Sequence, residues 1–372
     1  MMLRSTLAAL AAAAACCMGP ALAAREPAPY HVGQAVRAFR PDAPRHWRGA
    51  QTHALRTTIW YPAGLDAPEV PHDIGEPGLR TFQGHPLADG APISAARPAY
   101  PLLLLSHGTG GTADSLDWLA ATLAARGYIV AGVDHPGNTM LAPLTREGFR
   151  LWWERATDLS QVLDGLLADP LLGPRIDADR IGAVGFSLGG YTVLELAGAR
   201  TNLPAFEHFC ASPDADAICH PPEMRRAQDD ARAADAPSPE TAASLARAGA
   251  SYRDTRIKAV FAIAPALGMV FDNTAFAEVR IPVALIAGTA DVTAPVDTNI
   301  RRIGRLLPGA SVELIPGAAH YTFLDTCLPP LVERLAPVCK EAPGVDRDTV
   351  HAQAIARALA FFTASLTASQ AP

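Results

Sequence analysis

The feature with chemical content is a serine set between glycines: Gly185-Phe186-Ser187-Leu188-Gly189-Gly190 follows an apolar run at 180–186 and opens a helical stretch at 188–199. A serine on a sharp strand-to-helix turn is held in a strained conformation with its Oγ exposed, which is what a nucleophile needs. Gly185 and Gly189 are expected because a Cβ at either position collides across the turn, and Gly190 because it lets the helix approach the sheet. The helix N-terminus also brings N–H groups and a partial positive charge to the reacting atom. A bare Gly-x-Ser-x-Gly is common. The strand before it, the helix after it and the extra glycine separate this one from a tight turn with an idle serine.

Such chemistry needs two N–H donors aimed at a developing oxyanion. Leu188, next to the nucleophile, is one candidate. The other lies in Ser106-His107-Gly108-Thr109-Gly110-Gly111, where the glycines let the backbone turn an N–H inward, most suitably that of Thr109. No Lys-Ser or Lys-Thr follows, so the loop is not a phosphate cradle. His107, ahead of the glycines, reads as a loop-shaping residue and not as the base. An acid and then a histidine should follow in chain order. Asp291 stands in Gly288-Thr289-Ala290-Asp291 after an apolar run at 282–287, with Asp272 in reserve, and it could otherwise serve only as a helix N-cap. His320 comes after the last strand-like run, whereas His351 lies near the start of the final helical stretch and fits the role less well.

These residues have to be carried by a sheet. Short apolar runs at 100–105, 128–133, 180–186, 257–264, 282–287 and 311–315 alternate with helical stretches at 113–126, 151–167, 188–199, 297–307 and 351–366. That rhythm predicts an α/β fold, with a mostly parallel central sheet and helices on both faces. Open sheets of this kind build their sites at the C-terminal ends of the strands. Residues 30–61 alternate loosely and read as antiparallel strands opening the sheet, and the Pro- and Gly-rich 63–98 reads as a surface excursion. Trp152 and Trp153 read as packing residues. Residues 201–254 interrupt the rhythm just after the helix behind Ser187, where an insertion is either a lid or a surface loop.

The chain has 372 residues, 49% of them apolar, and a formal net charge of −6. With Lys and Arg scattered, that balance gives no reason to expect a nucleic-acid partner. Residues 1–23 read as a signal peptide: Arg4 precedes an Ala- and Leu-rich run at 7–17, and Ala21-Leu22-Ala23 offers a cleavage site. Periplasmic or secreted placement is therefore expected for a domain at 24–372, with lipidation at Cys16 the weaker alternative. No later apolar run is long enough to span a bilayer. Cleavage leaves four cysteines, Cys210, Cys219, Cys327 and Cys339. An oxidising compartment favours disulfides, and of three connectivities the two local pairs are preferred. The spacing does not suggest a metal site, since there is no Cys-x-x-Cys.

Taken together the motifs resemble those of bacterial dienelactone-hydrolase-like proteins, relatives of the platelet-activating-factor acetylhydrolases. The resemblance runs through Trp60-Tyr61-Pro62, Ser106-His107-Gly108, Asp134-His135-Pro136-Gly137-Asn138-Thr139, Gly185 to Gly190, Gly288 to Asp291, His320-Tyr321-Thr322-Phe323-Leu324 and Phe361-Phe362. It implies the α/β-hydrolase fold, a Ser-Asp-His esterase needing no cofactor, and a small-molecule or lipid-like ester as substrate. Two departures stand out. Dienelactone hydrolases use a Cys nucleophile, where this chain has Ser187. In the acetylhydrolases the acid follows the preceding strand, which here runs into Ala264-Pro265-Ala266 without a carboxylate, in favour of Asp291. Amide or peptide cleavage by the same triad, metal-dependent hydrolysis, and a hydrolase-fold binding protein without turnover are the competing readings. Intact candidates for every catalytic role argue against the last.

Overall fold

The computed structural model of the chain describes residues 29–43, 45–76, 78–221 and 237–367. The expected signal segment, including Cys16, and the charged run at 223–235 lie outside the described residues. In chain order the strands are β1 (His31–Phe39), β2 (Leu55–Ala63), β3 (Asp73–Glu76), β4 (Leu79–Gln83), β5 (Tyr100–Ser106), β6 (Ile129–Val133), β7 (Ile176–Phe186), β8 (Ile257–Ile263), β9 (Val283–Gly288) and β10 (Ser311–Ile315). The helices are α1 (Asp117–Ala125), α2 (Arg146–Arg150), α3 (Glu154–Ala168), α4 (Leu188–Ala197), α5 (Leu203–Cys210), α6 (Pro239–Leu245), α7 (Ile300–Leu306), α8 (Ala336–Cys339) and α9 (Arg347–Ser365).

Eight strands form one sheet in the order β1-β2-β6-β5-β7-β8-β9-β10. β2 pairs antiparallel with β1 and with β6. From β6 to β10 every pairing is parallel. The strand β5, Tyr-Pro-Leu-Leu-Leu-Leu-Ser, is buried along its whole length. Its side chains do not alternate between apolar and polar because helices cover both faces of the sheet. α1 packs against α9, and α3 against α4, giving the two helical layers. This is the α/β arrangement that the alternation of runs predicts.

Three local expectations change. The 63–98 excursion is not purely surface: it holds the β3–β4 hairpin, and Ile74, Leu87 and Ala88 are buried. The helical stretch expected from residue 113 opens with a 3-10 turn at Ala113–Leu116 before α1 begins. The final helix starts earlier than residue 351, because the Asp346 side chain caps it by accepting the Thr349 N–H at 2.7 Å.

The insertion after α4 is tied to the body of the protein. Phe206 of α5 meets Trp152 edge-on at 5.1 Å, and the Trp153 indole donates to Ser244 Oγ of α6 at 3.0 Å. The tryptophans thus pack, as expected of them. Cysteines pair locally, Cys210 with Cys219 and Cys327 with Cys339, with Cα separations of 5.5 and 5.6 Å. The second bridge stands beside the hairpin, where Gln83 N donates to Thr326 O and Leu328 N to Thr81 O.

Candidate active site

Ser187 sits between β7 and α4 with φ 56° and ψ −119°, a backbone conformation that a side chain rarely adopts. The surroundings hold it there. Its N–H donates to Ile263 O at the end of β8, and its carbonyl accepts from Tyr191 N and Ala266 N. A Cβ on Gly185 would lie 2.1 Å from Gly189 O, which is the collision across the turn that the sequence leads one to expect. Gly189 is needed for a different reason: its Cβ would lie 1.9 Å from Ser106 O, against the neighbouring strand and not across the turn. Strain of this kind persists only where the surrounding structure over-determines it, as it does here.

Ser187 Oγ lies 2.8 Å from His320 Nε2, and His320 Nδ1 lies 2.7 Å from Asp291 Oδ2. A carboxylate accepts only, so Nδ1 carries the proton and Nε2 is left to accept from the serine hydroxyl. Asp291 Oδ1 accepts from Thr293 N at 3.0 Å and Ala294 N at 2.7 Å. The N-cap role weighed against catalysis in the sequence is therefore filled by one oxygen while the other faces the histidine. All three side chains are nearly buried, with Ser187 7% exposed.

The turns after β9 and β10 fix the spacing of the acid and the histidine. Ala290 N donates to Ala318 O, Thr289 N to Ile315 O, and Gly317 N to Thr289 Oγ1. His320 then begins a short 3-10 turn, His320–Phe323. His351 Nε2 donates to Thr322 O at 2.8 Å, and Trp118, stacked on that imidazole at 3.9 Å, donates to Phe323 O. Burial pushes the His351 pKa down to about 3, so it supports the turn as a neutral ring. The carboxylate next to His320 is that of Asp291, whereas the Asp272 carboxylate accepts from Asn202 and Thr274.

The loop after β5 runs beside Ser187: a Cβ on Gly108 would lie 3.2 Å from Ser187 Cβ. Thr109 follows that glycine. Leu188 is the first residue of α4, where an N–H has no intrahelical acceptor. His107 Nδ1 donates to Gly108 O at 2.6 Å, and its Nε2 accepts from His135 N at 3.2 Å, so it shapes the loop.

A second Ser-His-Asp chain lies behind this loop and was not anticipated from the sequence. Ser106 Oγ is 2.9 Å from His135 Nε2, and His135 Nδ1 is 2.7 Å from Asp158 Oδ2. The distances match those of the first chain, but all three residues are 0% exposed, so no substrate reaches Ser106. Burial pushes His135 down to about 3. Burial opposes the ionisation of Asp158, but Arg45 and Arg48 beside it outweigh that and hold it well below the usual carboxylate range. The available signal was in α3: Arg155 and Asp158 are charged residues within the buried stripe of Leu159, Val162 and Leu163. On a helix face meant for the core, charge marks a satisfied network or a site.

Residues 102–329, more than half of the chain and including Ser187, Asp291 and His320, match the alpha/beta hydrolase family. The chain belongs to that family. Among curated relatives, cutinase est2 of Thermobifida alba is 33% identical over 108 residues, covering 28% of this chain and 33% of that protein. The bis(hydroxyethyl) terephthalate hydrolase of Streptomyces coelicolor is 30% identical over 146 residues, covering 38% of this chain and 44% of that protein. The chain thus spans about a third to under half the length of these relatives. Among solved structures, a ferulic acid esterase from Streptomyces cinnamoneus superposes with a TM-score of 0.59 at 21% identity, covering 91% of this chain and 90% of that one. At that identity the likeness of this hydrolase-family chain to the esterase is one of fold.

Proposed function

We propose that the protein is a carboxylic-ester hydrolase that works through an acyl-enzyme on Ser187. The observation that supports this best is the chain from Ser187 to His320 to Asp291, at 2.8 and 2.7 Å, drawn from the ends of three different strands. In this reading His320 Nε2 takes the Ser187 proton as Oγ attacks the ester carbonyl, and Asp291 keeps the imidazole oriented. The oxyanion accepts from the N–H groups of Leu188 and Thr109. Collapse breaks the bond to the alkoxy oxygen, which leaves as an alcohol with the proton from His320. Water, deprotonated by the same nitrogen, then attacks the acyl carbonyl and releases the acid and Ser187.

The names of the relatives, cutinases and a terephthalate-ester hydrolase among them, favour esters as the substrate class. Within the family we place the chain near the dienelactone-hydrolase-like and acetylhydrolase-like group, on the motifs quoted above. We also read residues 24–372 as one hydrolase domain in which 201–254 acts as a lid over the strand ends. Two local disulfides fit an exported protein. Among the described residues no helix is long and apolar enough to cross a membrane.

A p-nitrophenyl ester chain-length series, run beside a fluorophosphonate label, tests the reading. Wild type should turn over esters and label at Ser187, and Ser187→Ala should lose at least about 10³-fold in kcat. A folded protein that neither labels nor hydrolyses any ester of the series rules the proposal out.

A further inference from the structure

We propose that Arg155 and Asn138 are positioning residues that aim the Thr109 N–H at the oxyanion, one guanidinium fixing the loop on both sides of that donor. Arg155 is completely buried in α3, and its Nη2 donates to the carbonyl of His107, two residues before Thr109. Its Nη1 donates to Asn138 Oδ1 at 3.3 Å, and the same oxygen accepts from Gly110 N at 3.1 Å, one residue after Thr109. The peptide units that flank the donor are thereby tied to a single planar fork. A planar, always-protonated group suits that task because its donor directions are fixed relative to one another.

The buried Ser-His-Asp chain keeps the fork in register. Arg155 Nη2 donates to Ser106 Oγ at 3.2 Å, so the Ser106 hydroxyl proton points to His135 Nε2. The proton on His135 Nδ1 then points to Asp158, which Arg48 Nη2 grips at 2.6 Å. From the Arg155 Nη2–Ser106 Oγ contact onward the directions follow one from the next as far as Asp158, because a guanidinium only donates and a carboxylate only accepts. Asn138 is anchored in turn by its own backbone N–H on His135 O at 3.0 Å. Asp134-His135-Pro136-Gly137-Asn138, which enters the sequence reading only as a mark of resemblance, thus supplies both the relay histidine and the asparagine that holds Gly110.

The inference rests on the proposed esterase reading, and its test separates the two. Arg155→Met and Asn138→Ala should each lower kcat by about 10- to 100-fold, less than removal of a donor outright, with KM changed by less than about threefold. Asn138→Asp, which keeps an acceptor for Gly110 N and Arg155, should recover much of what Asn138→Ala loses. A boronic acid, which forms a tetrahedral anion on Ser187, should weaken in proportion to kcat/KM, while a carbonyl-free ether analogue of the substrate should bind as to wild type. The Asn138 pair carries the test if Arg155→Met fails to fold. Wild-type kcat in Asn138→Ala, or an unchanged boronate affinity in a variant slow on esters, overturns the inference. An absence of ester turnover in the wild type overturns the esterase reading instead.

Discussion

Asp291 Oδ2 receives the Nδ1–H of His320, while Oδ1 accepts two backbone N–H groups of the following turn. An asparagine can keep the second task and fail the first, since its amide nitrogen facing His320 would impose the wrong tautomer on the ring. Asp291→Asn should therefore lower kcat by about 10⁴-fold with little change in the unfolding midpoint. Ester kinetics and a denaturant melt on the same preparation check this, and a variant that loses stability and activity together would assign Asp291 a structural role. The same scale explains why two chemically alike Ser-His-Asp chains differ in prospect. Ser187 keeps 7% of its surface exposed, whereas Ser106 is sealed at 0% behind the loop it supports.

At the scale of elements, the acid and the histidine depend on two turns that touch backbone to backbone. A Cβ on Gly288, the last residue of β9, would lie 1.9 Å from Ala318 O, two residues before His320. Backbone cannot rotate out of the way as a side-chain tip can, so the turns would have to move apart. Gly288→Ala should lengthen the Asp291–His320 bond, cutting kcat by about 10²-fold or more while Ser187 stays on an intact elbow. It should also destabilise the fold by about 1–3 kcal/mol, a typical cost of overpacking. Kinetics and a chemical melt of that variant measure both, and wild-type kcat would show that the turns tolerate separation. The elbow itself was legible in the sequence because its glycines, strand and helix are contiguous. The lacing of the β9 and β10 turns was not, since Gly288 and Ala318 are thirty residues apart and neither is unusual locally.

For the whole molecule, stability depends on pH through groups that folding seals from water. Glu195, on the α4 helix that follows Ser187, is completely buried and accepts from Thr201 Oγ1 at 2.6 Å. Burial raises its pKa from 4.5 to about 8. Between those values the folded chain holds a proton that the unfolded chain has released. Its contribution to stability therefore falls as pH rises through that window and is constant outside it. Glu195→Gln does not titrate, so relative to wild type it should gain on the order of a few kcal/mol between pH 5 and pH 9. Denaturant melts at pH 5, 7 and 9 read this directly, and a gap that does not change with pH would mean Glu195 is ionised in the folded protein.

The sequence by itself determined the alternation of strands and helices from residue 100 to 199 and from 257 onward that carries the parallel part of the sheet, the elbow at Ser187 and the candidate roles of Asp291 and His320. Those features are written in neighbouring residues: apolar runs, glycines at fixed offsets, an acid and a histidine just past strand ends. Only the tertiary structure decided that the three side chains stand within hydrogen-bond reach, and that Arg155, Asn138, His135 and Asp158 meet behind the Thr109 loop. It also decided that 63–98 contributes to the core through Leu87 and Ala88. The physical reason is the same in each case. A buried charge or a close backbone approach is permitted by partners distant in the chain, and such partners leave no periodic trace in the residues beside it.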